Sequence, residues 1–376
     1  MLQKKRILIF STAYKPFIGG AEVAVREITD RIPEIEFVMI TAKLDAKLTR
    51  VEKIGNIEVH RLGKGGHWDK YRLISQGARY AQKLGHFDVV WGIMASYAGF
   101  ASLRYKKREN RPFLLTLQEG DSRWDIYRHV WFIWPYFKQI FKRADRIQAI
   151  SNYLADWAKN MGAKCPIEVV PNGVNLDKFR ISNFEFQNNF KSKIFNDLNI
   201  SEDAKLIVTV SRLVKKNGVE DLIEAMEFLS EDVQLLVVGG GQLEQKLKKI
   251  ANDGVHFLGD VSHDELPHYL GASDVFCRPS LSEGLGNAFL EAMACGVPVV
   301  GTKVGGILDF LKDNETGLFC KVGNPEDIAE KIKKIVNDES LRGKLVENGS
   351  KLVQEKYSWD LIARQMQNIF NNLCSQ

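Results

Sequence analysis

The chain reads as an α/β protein made of two doubly wound halves, each a parallel sheet with helices packed on it. Three observations lead there. Short apolar runs of strand length alternate along the chain with segments whose apolar residues recur at helical spacing. Gly-rich turns stand at the ends of several runs, as at Gly19–Gly20 and Gly239–Gly241. The length of 376 residues, with 45% hydrophobic and 26% charged, suits two domains of ordinary size.

In chain order, Arg6–Ser11 is an apolar run bounded by Lys and by Ser-Thr, as expected of a central parallel strand. Its apolar part, Ile7–Phe10, is too short for the apolar core of a signal peptide. Gly19 and Gly20 then precede a helix with Val23, Ala24, Ile28 and Ile32 on one face. Strand, glycine turn and helix make a phosphate cradle in principle, although most such glycine pairs are only turns. Further strands are expected over 36–42, 57–62, 86–96 and 111–121. The last ends in Gln118 and Glu119, at the edge where open α/β sheets bind ligands. The alternative for Gln118 is a strand-end amide facing solvent.

Residues 124–146 interleave Trp, Tyr and Phe with Arg, His and Lys. They read as a helix packed on the first domain, started or kinked at Pro135. The alternative is an amphipathic segment lying in a membrane interface. A strand at 146–151 and a helix over 152–161 follow, and Pro171-Asn172-Gly173 forms a tight turn. Residues 180–204 are polar and read as a linker with a short lead-in helix.

The second half opens with the strand L-I-V-T-V, which runs into Ser211, Arg212 and a basic loop before a helix near Val219. Arg and Lys after a strand end suit a diphosphate. A solvated loop is the default reading for Lys215 or Lys216. Gly239–Gly241 fails as a dinucleotide fingerprint, because the third glycine of G-x-G-x-x-G falls at Glu244.

The densest stretch is Pro279–Gly306, P-S-L-S-E-G-L-G-N-A-F-L-E-A-M-A-C-G-V-P-V-V-G-T-K-V-G-G. Glu283 stands in its glycine loop, and Glu291 on a helix ended by Gly296 and Pro298. An acid among Ala288, Phe289, Leu290, Ala292 and Met293 needs a partner. Asn287 either caps the helix or stands one turn before Glu291 on the same face. The amides of Gly284, Leu285 and Gly286 crowd the helix start, which attracts anions. Amides would grip phosphate, and the two acids would accept hydrogen bonds from sugar hydroxyls.

This stretch resembles the signature of the retaining glycosyltransferases of family 4, P-S-x-x-E-G-x-G followed by E-A-M-A-x-G-x-P-V-V. The resemblance covers nearly the whole chain. It implies the GT-B fold, two Rossmann-like doubly wound parallel-sheet domains facing a cleft. It implies an acceptor-side domain over 1–180, a linker over 181–204, a nucleotide-sugar domain over 205–355, and a last helix, 356–376, crossing back to the first domain. Glu283, Arg212 and Lys216 would act on the reacting sugar and departing diphosphate. Gly19, Gly20, Gly284, Leu285, Gly286, Asn287, Glu291 and Val261 would bind the donor, with Glu291 on the ribose hydroxyls and Val261 beside the base. Gln118, Glu119 and Asn172 would line an acceptor or sugar pocket. The sequence departs from the family pattern in three places: Gln118 replaces His, Asn175 replaces Asp, and Asn217 replaces the Lys before Gly218. Front-face displacement is the mechanism usually proposed for such enzymes.

The donor would be a UDP-, GDP- or ADP-sugar, used as substrate with no cofactor, and the acceptor a glycan or lipid-linked glycan in polysaccharide or glycolipid synthesis. No Asp-x-Asp is present, so no metal is expected at the diphosphate. A formal charge of +5 fits an anionic ligand or membrane face and is too weak for nucleic acid. Five scattered cysteines, without C-x-x-C, fit a reducing compartment. No run reaches the roughly 18 apolar residues of a membrane span. A cytoplasmic protein is expected, with peripheral contact at the inner membrane face through 124–143 as the further reading. The competing functions are a nucleotide-sugar epimerase of the same fold and a non-catalytic nucleotide-sugar-binding protein.

Overall fold

The computed structural model describes residues 4–17, 19–180 and 184–375, apart from the side chains of 184–188. The chain divides into two units, Met1–Asn172 with Trp359–Gln376, and Gly173–Ser358.

Unit 1 holds strands β1 (Arg6–Ser11), β2 (Glu36–Ala42), β3 (Val51–Ile54), β4 (Ile57–Leu62), β5 (Val89–Ile93), β6 (Phe113–Leu117), β7 (Arg146–Ala149) and β8 (Ile167–Val169). They form one sheet in the order β3-β4-β2-β1-β5-β6-β7-β8. Every residue of β5 and β6 is buried, as befits parallel strands covered on both faces. β3 pairs antiparallel with β4. This strand was not legible in the sequence: V-E-K-I is short and lies half exposed at the sheet edge. Strand order reverses between β1 and β5, which places the switch point of the sheet there.

Unit 2 holds β9 (Lys205–Val210), β10 (Val233–Val238), β11 (Val255–Gly259), β12 (Val275–Arg278), β13 (Val299–Thr302) and β14 (Leu318–Cys320). All pairs are parallel, in the order β11-β10-β9-β12-β13-β14, so its switch point lies between β9 and β12.

The boundary between the units falls after Asn172, not at 180. Residues 174–179 pack with unit 2: Val174 N donates to Tyr357 O at 2.6 Å, and the short helix Leu176–Phe179 lies against the helix Asn287–Ala294. Residues 181–183 of the expected linker lie outside the described residues. Its remainder forms the helix Phe184–Leu198, which buries Ile194 and Phe195 and is anchored by Lys191 to Asp274 at 3.2 Å.

The expected last helix, 356–376, is Trp359–Cys374, and a separate helix, Glu339–Lys356, precedes it. The break falls where the Tyr357 carbonyl turns to accept the Val174 N–H. Trp359–Cys374 buries Ile362, Met366, Ile369, Phe370 and Leu373 in the core of unit 1, a stripe at helical spacing. The Phe370 ring packs edge-on against Trp91 at 5.1 Å and Phe37 at 5.9 Å.

Phe370→Ala is expected to cost unit 1 about 3–5 kcal/mol through the cavity it opens. Native-state hydrogen exchange reads it: amides of β1, β2 and β5 exchange faster, while those of β9 and β12 do not change. Unchanged protection in unit 1 would show that the last helix adds little to that core.

Candidate active site

In unit 2, β9 and β12 pair only through Ile207–Val275 and Val208–Phe276 and then part. Arg278, the last residue of β12, bridges the opening. Its Nη1 donates to Val210 O at 3.0 Å, and its Nη2 pairs with Glu283 Oε1 at 2.6 Å. The guanidinium lies 4.9 Å from the centre of the Phe289 ring, and the residue is only 7% exposed. Ser280 Oγ donates to the same Glu283 oxygen at 3.3 Å. Glu283 is therefore committed through Oε1 to its own unit, and Oε2 has no partner among the described residues. Sequence reasoning missed Arg278. Its signal was a cation closing the apolar run V-F-C, which has to find an anion when buried.

The loop Glu283–Gly286 lies backbone to backbone against the loop after β13. Gly306 N donates to Glu283 O at 3.1 Å. A Cβ on Gly305 would stand 1.9 Å from Glu283 O, and one on Gly306 2.1 Å from Gly284 O. No side chain fits at either place. The following helix is capped by Gly286 in the left-handed region, so Asn287 is its first residue and not its cap. Of the two roles considered for Asn287, its place one turn before Glu291 remains. Leu285 is buried.

Glu291 faces His263 from the loop after β11, with Nε2 and Oε1 3.2 Å apart. Val261 stands half-buried in that loop. Gly240 N donates to Asp260 Oδ1 at 2.9 Å, and Gly239 N to Gly259 O at 2.7 Å. The Gly239–Gly241 turn thus closes on this loop.

Arg212 and Lys216 sit in the loop after β9. The Arg212 side chain is exposed and has no ion-pair partner among the described residues. Lys216 lies in a 3₁₀ turn, Lys215–Asn217, and its carbonyl accepts Leu281 N at 2.7 Å. This fastens the cationic loop to the Glu283 segment. Asn217 is buried, and its Nδ2 donates to Arg212 O at 2.7 Å. Gly218, at φ +67°, follows it because a Cβ there would lie 2.0 Å from Pro279 O. The amide at 217 is part of the loop's framework, and the lysines precede it.

In unit 1, the carboxyl ends of β1 and β5 meet through Thr12 Oγ1 and Ser96 Oγ at 3.2 Å. Met94 adopts φ +69°, unusual for a residue with a side chain. Ala95 N, next to it, donates to Glu119 Oε1 at 2.6 Å. Glu119 is 6% exposed, and its Oε2 has no partner among the described residues. Burial pushes its pKa from 4.5 up to about 7, against the pull of the Ala95 N–H. Gln118 Oε1 accepts Asn172 Nδ2 at 3.2 Å, so this amide meets a buried partner instead of solvent. Gly19 caps the helix Gly20–Asp30 with extended backbone, and both glycines are exposed.

Two family models match the chain: "Glycosyltransferase Family 4" over residues 18–178 and "Glycosyl transferases group 1" over residues 190–352. An uncharacterized glycosyltransferase of Methanocaldococcus jannaschii is 28% identical, covering 97% of this chain and 98% of its own. Among solved structures, the sucrose-phosphate synthase of Thermosynechococcus elongatus is similar with a TM-score of 0.85 at 23% identity, covering 99% of each chain. Anabaena HepE in complex with UDP-glucose gives a TM-score of 0.82 at 18% identity, covering 98% of this chain and 99% of its own. Fold and matches together define a glycosyltransferase of the GT-B class. Within that class, the chain belongs to the family 4-like glycosyltransferases.

Two outcomes follow from these contacts. Arg278→Met is expected to cost about 3–5 kcal/mol in denaturant unfolding, because it leaves Glu283 against an apolar pocket; Arg278→Met with Glu283→Met should recover most of that. A double variant no more stable than the single one would show that the two side chains do not form a unit. For Glu119, the folded chain holds its proton more tightly than the unfolded chain. The stability this supplies is complete below pH 4.5 and is lost as pH rises through about 7. Glu119→Gln removes that titration. Its stability relative to the native chain should therefore rise between pH 4.5 and 8, by about 3 kcal/mol at most. A flat difference across that range would show that Glu119 titrates normally.

Proposed function

We propose that the chain transfers a sugar from a nucleotide-sugar donor to a hydroxyl of an acceptor glycan or lipid-linked glycan, with retention at the anomeric carbon. The observation that carries this reading is the edge of unit 2 at its switch point. Arg212 and Lys216 stand on one loop there, fastened through Lys216 O to the segment that carries Glu283 and leads into the helix of Glu291. Cations for a diphosphate and carboxylates for sugar hydroxyls thus share one strand-end region. The UDP-glucose complex of HepE, a protein of the same fold, supports a UDP-sugar as the first donor to test.

In this reading the bond between the anomeric carbon and the diphosphate oxygen breaks, and the nucleoside diphosphate leaves with the electron pair. The acceptor oxygen bonds to the same face of the anomeric carbon, and its proton passes to the departing phosphate oxygen. Arg212, Lys216 and the amides of Leu285 and Gly286 hold the charge that develops on the diphosphate. Glu283 holds the sugar, and Glu291 the ribose. The charge is assigned to these groups, and no metal ion is invoked in this reading. Gln118, Glu119 and Asn172 form the polar end of unit 1 that would receive the acceptor.

The acceptor's setting is proposed to be a membrane face. Trp124, Trp131, Phe132 and Tyr136 are 66–73% exposed, interleaved with Arg128 and Lys138. The helix Arg123–Val130 and the turn Trp131–Ile133 bury no residue, whereas the helix Trp134–Lys142, with Pro135 in its first turn, buries Phe137, Ile140 and Phe141. Large rings beside cations suit the interface of an anionic bilayer on the cytoplasmic side. Among the described residues no helix is long and apolar enough to cross a membrane.

A thermal-shift screen against UDP-, GDP- and ADP-sugars, with products followed by mass spectrometry, tests the reading. One nucleotide class should stabilise the chain by mass action. Glu291→Ala and Arg212→Ala should each lower the transfer rate about 100-fold. Near-native rates in both variants would place the site elsewhere. Conversion of a nucleotide sugar without any acceptor would favour an epimerase.

A further inference from the structure

We propose that Lys178 and His263 are positioning residues that orient the Glu291 carboxylate toward the donor's ribose. The inference rests on the reading of unit 2 as the donor site. Three side chains from three separate segments stand in a line. Lys178, on the helix Leu176–Phe179, places its Nζ 2.9 Å from His263 Nδ1. His263 Nε2 lies 3.2 Å from Glu291 Oε1. Asp264 Oδ1 steadies the lysine at 2.5 Å, and the Phe179 ring meets the imidazole edge-on at 5.2 Å.

The order of the chain fixes the hydrogens. A lysine ammonium can only donate, so Nδ1 of the imidazole is the acceptor. The ring hydrogen is then on Nε2, where it donates to Glu291. One oxygen of the carboxylate is thereby held by the protein, and Oε2 has no partner among the described residues. A carboxylate anchored through one oxygen presents the other in a fixed direction, which suits a ribose hydroxyl. Lys178 and His263 themselves need not touch the donor. The short helix Leu176–Phe179 thus supplies the cation that sets the tautomer of His263. Asn175 caps that helix by accepting Lys178 N at 3.2 Å and so fixes where the lysine starts.

The test measures Kd for UDP and for GDP by calorimetry, and donor KM and kcat with the corresponding sugar nucleotides, on the full chain. His263→Phe keeps a ring against Phe179 but donates nothing. It should weaken the nucleotide that binds about tenfold and raise donor KM alike, with kcat nearly unchanged, the scale of one hydrogen bond to a charged group. His263→Gln keeps an amide N–H near Nε2 and should recover most of the affinity. Lys178→Met should weaken binding about threefold by releasing the tautomer. In the double variant His263→Phe with Glu291→Gln, the histidine change should add nothing to the loss from Glu291→Gln alone. If His263→Phe binds as the native chain while Glu291→Gln loses affinity, the positioning role is wrong and the donor site stands. If Glu291→Gln also binds as the native chain, the donor-site reading itself falls. A loss in His263→Phe that His263→Gln does not recover would overturn the hydrogen-bond role in favour of simple packing. Equal melting temperatures across the variants confirm that each folds.

Discussion

The arrangement of unit 2 turns on one buried cation. At a switch point two neighbouring strands must part to make a crevice, and parting removes the ladder hydrogen bonds that would hold their ends. Arg278 takes over that duty: one arm of its guanidinium reaches the end of β9 and the other Glu283. A charge this buried needs an anion in contact, so Glu283 and Arg278 fix each other through Nη2, while Arg278 Nε has no hydrogen-bond partner among the described residues. The two loops stacked on this region, carrying Gly218 and Gly305–Gly306, approach so closely that their backbones touch without room for a side chain. The carboxyl edge of the sheet is thus set by backbone contacts and one ion pair, and not by flexible surface side chains.

The parts legible in the sequence were those with a strong local period or a dense motif. The bounds expected for β1, β2 and β4 are those observed; β1 and β2 are buried parallel strands with nearly continuous apolar stretches, whereas β4 alternates Ile57, Val59 and the polar Glu58, His60 and Arg61. The helix of Glu291 was equally plain from its apolar stretch and the glycine after it. What escaped depends on distant partners. The hydrogen bond from Val174 N to Tyr357 O, made from the far side of the sequence, is one such contact. His263 looked like one more polar residue in a loop until Lys178 and Glu291 arrived beside it from either side.

The departures from the family pattern follow a common physical rule. At 118, 175 and 217 a short amide stands where the pattern has a titratable side chain, and each amide has a defined bond. Gln118 accepts from Asn172, Asn175 accepts from Lys178 N, and Asn217 donates to Arg212 O. An amide keeps hydrogen-bonding capacity while giving up titration. These positions therefore serve the shape of the loops; titration is left to Glu119 in unit 1, and charge to Lys215 and Lys216 in unit 2.

Glu119, Glu283 and Glu291 each give Oε1 to the protein, while Oε2 has no partner among the described residues. Their surroundings separate them. Glu283 faces a guanidinium and Glu291 an imidazole, and both side chains keep some access to solvent, so the second oxygen of each can take a hydroxyl. Among the described residues Glu119 has no cation in contact, and its second oxygen is buried. Holding a negative charge there is costly, and this is why its pKa climbs to about 7 while the backbone N–H of Ala95 opposes the rise. A carboxyl so placed acts first as a brace for the turn at Met94, whose strained backbone needs an acceptor at Ala95. Similar residues at equivalent sheet edges thus do different work, and the difference lies in whether a cation stands within reach.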